Sequence, residues 1–349
     1  MSISNHPGVR RPGRWRRLNA AALVLWRGPD VVQFELGDHR IMVRNVDPAE
    51  VAALVRPVPP NVEAPPPRLA ELLHEAGFLT RRASIHPGDV DVPAYLSADL
   101  GALIGRYGDD APARLQQRRR AVVTVQGTSR ISTPIAATLA AAGVGHVHLV
   151  GGSEASAADS CPGGILPTDE GARFAIAGSA AVKRSSPSVH TGPTSAGQAP
   201  DLVILTDPGP TDPAVRAGLH LDARPHLSAW VDSSRAVIGP LVEPGRSSCL
   251  RCADLTRREH DPSWPMLAVQ LAARPRHRAM SDVALCVAVA GAATGQALGF
   301  LDGQQVETTG GTMEWQLPDW RLRRRSWPPH PACDCGAADR SSEHGRMES

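Results

Sequence analysis

Two cysteine pairs, Cys249-Leu-Arg-Cys252 and Cys333-Asp-Cys335, constrain this chain more than any other feature. A CxxC turn lets two sulfurs face one ion, and a second pair supplies the other two corners of a tetrahedron. Four sulfurs leave no open position, so the pattern reads as a structural zinc site. The long separation implies that the metal staples the C-terminal end back onto its domain. Gly245 before the first pair and Gly336 after the second supply the tight turns such knuckles favour. The CxC spacing is tighter and less usual than CxxC. A redox pair is the alternative, although that motif normally opens a helix after a strand in a thioredoxin-like unit. Unrelated surface cysteines are the blander one.

Compartment and partner class follow from the rest of the composition. Six cysteines are present, and the opening residues lack the apolar run of a secretory signal. A cytoplasmic location is therefore expected, where paired cysteines bind metal more often than they form disulfides. A length of 349 residues suggests two domains. A net charge of +2 excludes a strongly basic nucleic-acid binder. Of the 37 Lys and Arg residues only Lys183 is a lysine, and no GxxxxGK[ST] loop exists. The most apolar stretch, Val283 to Leu301, contains Thr294, Gln296 and three glycines. It reads as a buried helix, with no membrane span expected.

Along the chain, residues 1–20 read as a flexible basic arm. Short strand-like runs follow at 22–26, 31–36 and 40–44. Asp47 caps a helix with Pro48 at its first position. A proline-rich linker runs from Pro57 to Pro67. Leu69, Leu72, Leu73 and Ala76 share a helical face, and Gly77 can end that helix in a left-handed conformation. This is a small α+β, winged-helix-like pattern, and with a linker it is assigned to residues 21–115. Residues 116–336 read as α/β, and 337–349 as a disordered tail. Ala121–Val125 is a continuous apolar strand, Gly127 turns, Thr133 and Pro134 start a helix, and Gly143 ends it. Strands follow at 147–150, 202–205 and 226–231, the opening of a doubly wound sheet. Gly291, Gly295 and Gly299 give the late helix a flat stripe for close packing, inside the subunit or across a dimer.

The loop after the first α/β strand bears on nucleotide chemistry. A dinucleotide fingerprint needs GxGxxG. Here Gly127 keeps the first position, while Ser129 and Ser132 take the other two. A serine at the second position crowds the approach of phosphate, although the helix start still offers N–H groups to an anion. The acid expected after the next strand is replaced by Gly151 and Gly152. Asp207, at the end of a buried strand, faces the crevice where open α/β sheets bind ligands. Asp212 reads as the cap of the next helix. The loop is thus either a nucleotide site or a plain connection. His146 and His148, alternating on a strand, read as structural.

These residues together resemble the ThiF/MoeB/HesA superfamily, the adenylyltransferases similar to ubiquitin-activating enzymes. The resemblance covers about two thirds of the chain, from 121 to 335. The stretch Gly239-Pro-Leu-Val-Glu-Pro-Gly-Arg-Ser-Ser-Cys249-Leu-Arg-Cys252-Ala-Asp254-Leu looks like the actinobacterial, cyclodehydratase-associated branch. So do Asp261-Pro-Ser-Trp264-Pro265 and His330-Pro-Ala-Cys333-Asp-Cys335-Gly, and Leu25-Trp26-Arg27 with Val31-Val-Gln33 matches that branch's opening. The resemblance implies a Rossmann-like sheet with zinc on Cys249, Cys252, Cys333 and Cys335. It also implies an N-terminal module that binds a precursor's leader peptide for a YcaO-type partner enzyme. Gly127, Arg130 and Pro134 match the family's loop and helix start. Arg173 stands near Gly171, where adenylating relatives place a lysine on ATP. Ser129, Ser132 and Gly151 depart from the pattern, which speaks against ATP activation. A binding scaffold is the first expectation. An adenylyltransferase acting on the C-terminal carboxylate of a small carrier protein is the second, and a nicotinamide-dependent dehydrogenase, resting on one glycine, a poor third.

Overall fold

The computed structural model describes residues 17–19, 21–55, 67–80, 92–195, 197–273 and 281–338. Most of the expected basic arm, the linker up to residue 66 and the tail from 339 lie outside these. The chain divides into two compact units, residues 1–116 and 117–349.

In the first unit, β2 (Leu23–Trp26), β3 (Val31–Leu36) and β4 (His39–Arg44) form an antiparallel sheet in that order. Val32 and Phe34 are fully buried on one face of β3, and Gln33, on the other face, is buried too. The helices α1 (Pro48–Val55) and α2 (Pro67–Glu75) close the buried side with Val51, Leu54, Leu69 and Leu73. Asp47 caps α1 as its sequence position suggests, accepting a 2.8 Å bond from the Ala49 amide. Gly77, at φ +77°, ends α2. One segment differs from expectation. Arg17 and Leu18 are not part of a loose arm but a short strand, β1, paired with β5 (Leu79–Thr80). Burial of Leu18 under α1 and α2 explains it. Further on, α3 (Ser97–Tyr107) and the start of α4 (Ala111–Arg120) gather Leu100, Leu103, Ile104 and Leu115 into a small core of their own.

The second unit is built on one seven-stranded sheet. Its strands are β6 (Val122–Gln126), β7 (His146–Val150), β8 (Leu202–Leu205), β9 (His226–Val231), β10 (Arg235–Val242), β11 (Gly311–Gln316) and β12 (Arg321–Ser326). Their spatial order is β12-β11-β10-β9-β8-β6-β7. The first four in sequence are parallel and the rest antiparallel. The chain crosses from β6 to β7 on one side and to β8 on the other, so a crevice opens past the C-terminal ends of β6 and β8. Around the sheet lie α5 (Ser132–Ala141), α6 (Phe174–Ser185), α7 (Pro213–Leu221), α8 (Leu250–His260), α9 (Trp264–Ala273) and α10 (Val283–Leu301).

Two details correct the sequence reading. The helix after Gly127 begins at Ser132, and Thr133 does not cap it; the Thr133 hydroxyl accepts the Ile165 amide instead. The α10 glycines do not pack closely inside the unit at Gly291 and Gly295, where an added Cβ would meet nothing within 4 Å. Only Gly299 is tight, against Val306. The helix is long and apolar enough to cross a membrane by length and composition. It buries Leu285, Val289, Ala293 and Ala297 in the same core as Ala229, Val231 and Ile238 of the sheet. Its end is held by Asp302, whose carboxylate forms a buried two-toothed ion pair with Arg118 at 2.6 and 2.8 Å.

Candidate functional site

The four cysteines of the two pairs meet. Cys249 sits at the start of α8 and Cys252 in its first turn, while Cys333 and Cys335 lie in the turn that follows β12. All four are buried, and their sulfurs lie within 4.8 Å of one another. The separations are 3.8 Å for Cys249–Cys252 and 3.6 Å for both Cys249–Cys333 and Cys252–Cys335. A tetrahedral zinc with sulfur at about 2.3 Å requires sulfurs about 3.8 Å apart, so the donor set fits that ion in number, type and spacing. Neighbouring bonds hold the pairs in place. Arg251 and Asp334, one from each pair, form an ion pair, and His330 bridges to Glu259 at 2.9 Å while its carbonyl receives the Cys333 amide. Gly245 and Gly336 both have positive φ, as the tight turns at these knuckles require. The thiols are unequal. Cys252 accepts the Cys249 S–H, which lowers its pKa to about 4, while Cys249 is raised by donating that bond and by burial.

The glycine loop is a second meeting point, and its polar side chains bond within the chain. Gly127 has φ +131°, and a Cβ there would run into the Thr206 hydroxyl and Asp207. Asp207 sits just past β8 and accepts the Thr128 amide at 3.0 Å. The two serines in glycine positions belong to one hydroxyl chain. Ser129 contacts Ser132 at 3.2 Å, Ser132 contacts Thr206 at 2.7 Å, and Thr206 donates to the Gln126 carbonyl. Arg130 reaches the carbonyls of Ser160 and Ser281 at 2.8 and 2.7 Å, tying the loop to two distant segments. Opposite, Thr128 leans over the end of β7: a Cβ on Gly151 would lie 2.5 Å from its methyl group. Residues 160–165 cover the start of α5, where Gly164 lies so close to Thr133 and Pro134 that no Cβ fits. Arg173, exposed at the start of α6, is joined to Glu154 through a backbone bridge. Gly127, Asp207 and Arg130 are thus brought together, and Arg173 precedes Phe174, whose ring lies 3.6 Å from where a Cβ on Gly151 would stand.

Sequence reasoning missed a cavity of about 1110 Å³ on the sheet face opposite α10. It extends from Gln126 and Asp207 past Trp230 to Trp264 and Trp327. Asp254, the fifth residue of α8, accepts Arg216, Arg257 and the Trp264 indole at 2.6, 3.0 and 3.2 Å. The Arg257 guanidinium lies 5.1 Å from the Trp264 ring centre and 4.7 Å from that of Trp327. Glu314 holds Arg235 and Arg325. Three of the chain's seven tryptophans line this one cavity, and their concentration between residues 230 and 327 was the available signal.

Comparison with known proteins agrees with this architecture. No family model matches the sequence, and no curated protein matches it. Solved structures do. Escherichia coli MccB with MccA-N7isoASN superposes with a TM-score of 0.72 at 13% identity, covering 92% of this chain and 99% of that one. MccB with ATP gives 0.68 at 13% identity, covering 91% and 98%. PaaA gives 0.57 at 15% identity, covering 74% of this chain and 90% of its own. MccB is described as a microcin C7 biosynthetic enzyme and was also solved with N-formylated MccA.

Proposed function

We propose, starting from the ThiF/MoeB-type fold shared with MccB, that this chain is a zinc-stapled scaffold for peptide modification. It binds the leader of a precursor peptide and presents that peptide to a YcaO-type cyclodehydratase, without adenylating anything itself. The observation that carries this reading is the glycine loop. A site that takes ATP keeps amides and side chains available for phosphate, whereas here the Thr128 amide bonds to Asp207, and the side chains of Ser129, Ser132 and Arg130 bond within the chain. Zinc on the cysteine quartet supplies cross-linking only, since no fifth ligand position is needed.

The N-terminal unit is the peptide receiver in this reading, as a winged-helix-like module over residues 21–115. Its sheet has β2 at one edge, and Leu23, Leu25 and Met42 are exposed apolar residues on it. An edge strand offers unpaired N–H and C=O groups to an added peptide strand, with alternate side chains as anchors. The exposed Val283, Val287, Gly291 and Gly295 line of α10 suits contact between two copies of the chain, in a cytoplasmic homodimer.

The alternative is an ATP-dependent adenylyltransferase acting on the C-terminal carboxylate of a small sulfur-carrier or ubiquitin-like protein. It is favoured by the placement of Asp207 on the wall of the 1110 Å³ cavity and by the MccB structure with ATP. One pair of measurements separates the two. The scaffold reading expects no ATP–pyrophosphate exchange with any carboxylate substrate, and capture of a cognate leader peptide that Leu25→Asp weakens at least tenfold. Exchange that disappears in Asp207→Asn establishes the alternative.

A further inference from the structure

Three histidines in the second unit stand apart from every site above. His146 and His148 alternate on the edge strand β7, and His190 follows α6 in a segment that pairs with that edge. Main-chain bonds fix the meeting. The His190 amide donates to the Gly145 carbonyl, and its own carbonyl accepts the Val147 amide, both at 2.9 Å. The His146 and His190 rings meet edge to face with centres 4.3 Å apart. His146 Nε2 then lies 2.8 Å from the Gly192 carbonyl oxygen and 3.0 Å from His190 Nδ1.

Counting protons shows why this arrangement is unusual. The three atoms are all lone-pair sites when unprotonated, and a neutral imidazole protonates only one of its two nitrogens. A proton on His146 Nε2 must be shared between the carbonyl and His190 Nδ1. A proton on His190 Nδ1 leaves the carbonyl facing the lone pair of Nε2. Protons on both nitrogens set two N–H groups against each other. No assignment gives each short contact its own proton. A divalent cation in place of the shared proton accepts all three lone pairs. Ligands about 2.0–2.1 Å from an ion and at right angles to one another are about 2.9 Å apart, close to both observed separations.

We propose that His146, His190 and the Gly192 carbonyl form a second metal site, independent of the cysteine quartet, for a divalent transition metal that takes ligands at right angles, such as nickel or cobalt. Imidazole donors suit these ions and not magnesium or calcium. His148 projects from the same face of β7 as His146. The ion ties the segment around residue 190 to the sheet edge and keeps that edge from pairing with another chain. The plainer account is a histidine pair that shares one proton and pins the same segment.

Cobalt(II) titration of the full-length, metal-depleted chain decides between them. The cysteine quartet reports its ion through thiolate-to-cobalt charge-transfer bands, which imidazole sites lack. The wild-type chain is expected to bind a second equivalent by equilibrium dialysis with no further growth of those bands. His190→Ala changes an exposed side chain, so the fold survives, and it should lose that second equivalent while the thiolate bands stay unchanged. A wild-type chain that stops at one equivalent overturns the proposal. So does a His190→Ala variant that still takes two.

Discussion

The cysteine quartet and the glycine loop are built alike and use their atoms in opposite ways. Each gathers residues from distant parts of the second unit. At the quartet, four sulfurs converge on one another, with one pair of compensating charges outside. At the glycine loop, hydroxyls, the Thr128 amide and a guanidinium converge and bond within the chain. A buried polar group that lacks a partner costs about 1–3 kcal/mol. A fold retains such a convergence when something binds there. Where nothing binds, substitutions that pair the groups internally are stabilising. On the proposed reading, the contrast separates a metal centre from a loop whose side chains bond within the chain.

The largest effect expected from breaking this comparison is at the quartet. Cys252→Ser should release the metal and cost on the order of 4 kcal/mol or more, the scale of a lost metal centre. Denaturant unfolding with metal analysis measures both, and full metal retention in a variant lacking Cys333 and Cys335 would refute the assignment. A smaller effect is expected in the loop. Thr206→Val removes the hydroxyl that links Ser132 to the Gln126 carbonyl and should cost about 2 kcal/mol, with no change in metal content. A loss below a few tenths of a kcal/mol would mean that water serves these groups and the loop is not self-contained. The smallest effect sharpens the picture at the end of β7. Gly151→Ala should cost about 1 kcal/mol through its clash with the Thr128 methyl group. Thr128→Ser removes that methyl and should restore most of the loss, a coupling that a double-mutant cycle reads directly. Additive effects would show that Thr128 does not occupy the space beside Gly151.

Much of this was legible in the sequence, and the boundary of legibility is physical. Paired cysteine spacing admits few geometries, so the quartet could be assembled on paper. The four parallel strands were legible as apolar runs between glycine turns, and Asp47, Gly77 and Asp212 act as the caps and stops their positions suggest. The loop residues were ambiguous for a different reason. An arginine holds a phosphate or two carbonyls with the same hydrogen-bond donors, and an aspartate after a strand caps a loop as readily as it faces a ligand. Only the positions of Ser160, Ser281 and Thr128 decide, and these lie far away in sequence or depend on the turn. The tryptophan-lined cavity escaped for the same reason, since its walls come from six strands and three helices. The glycine stripe of α10 was half legible: its periodicity is clear, but periodicity does not tell which side of a helix a neighbour occupies.

The quartet has one more consequence, which concerns the connectivity of the molecule. Between Cys252 and Cys333 the chain contributes α8, α9, α10, β11 and β12. With an ion on the four sulfurs, that whole stretch becomes a closed ring whose two ends are clasped at one point. A protease cut inside the ring, for example between α9 and α10, then does not sever the molecule. The pieces stay together as one particle in gel filtration and separate into two bands only when denatured with a chelator. The clasp makes the second unit tolerant of being opened in its interior, and it places that unit's weakest point at the seven residues of the two knuckles instead of along the eighty that they enclose.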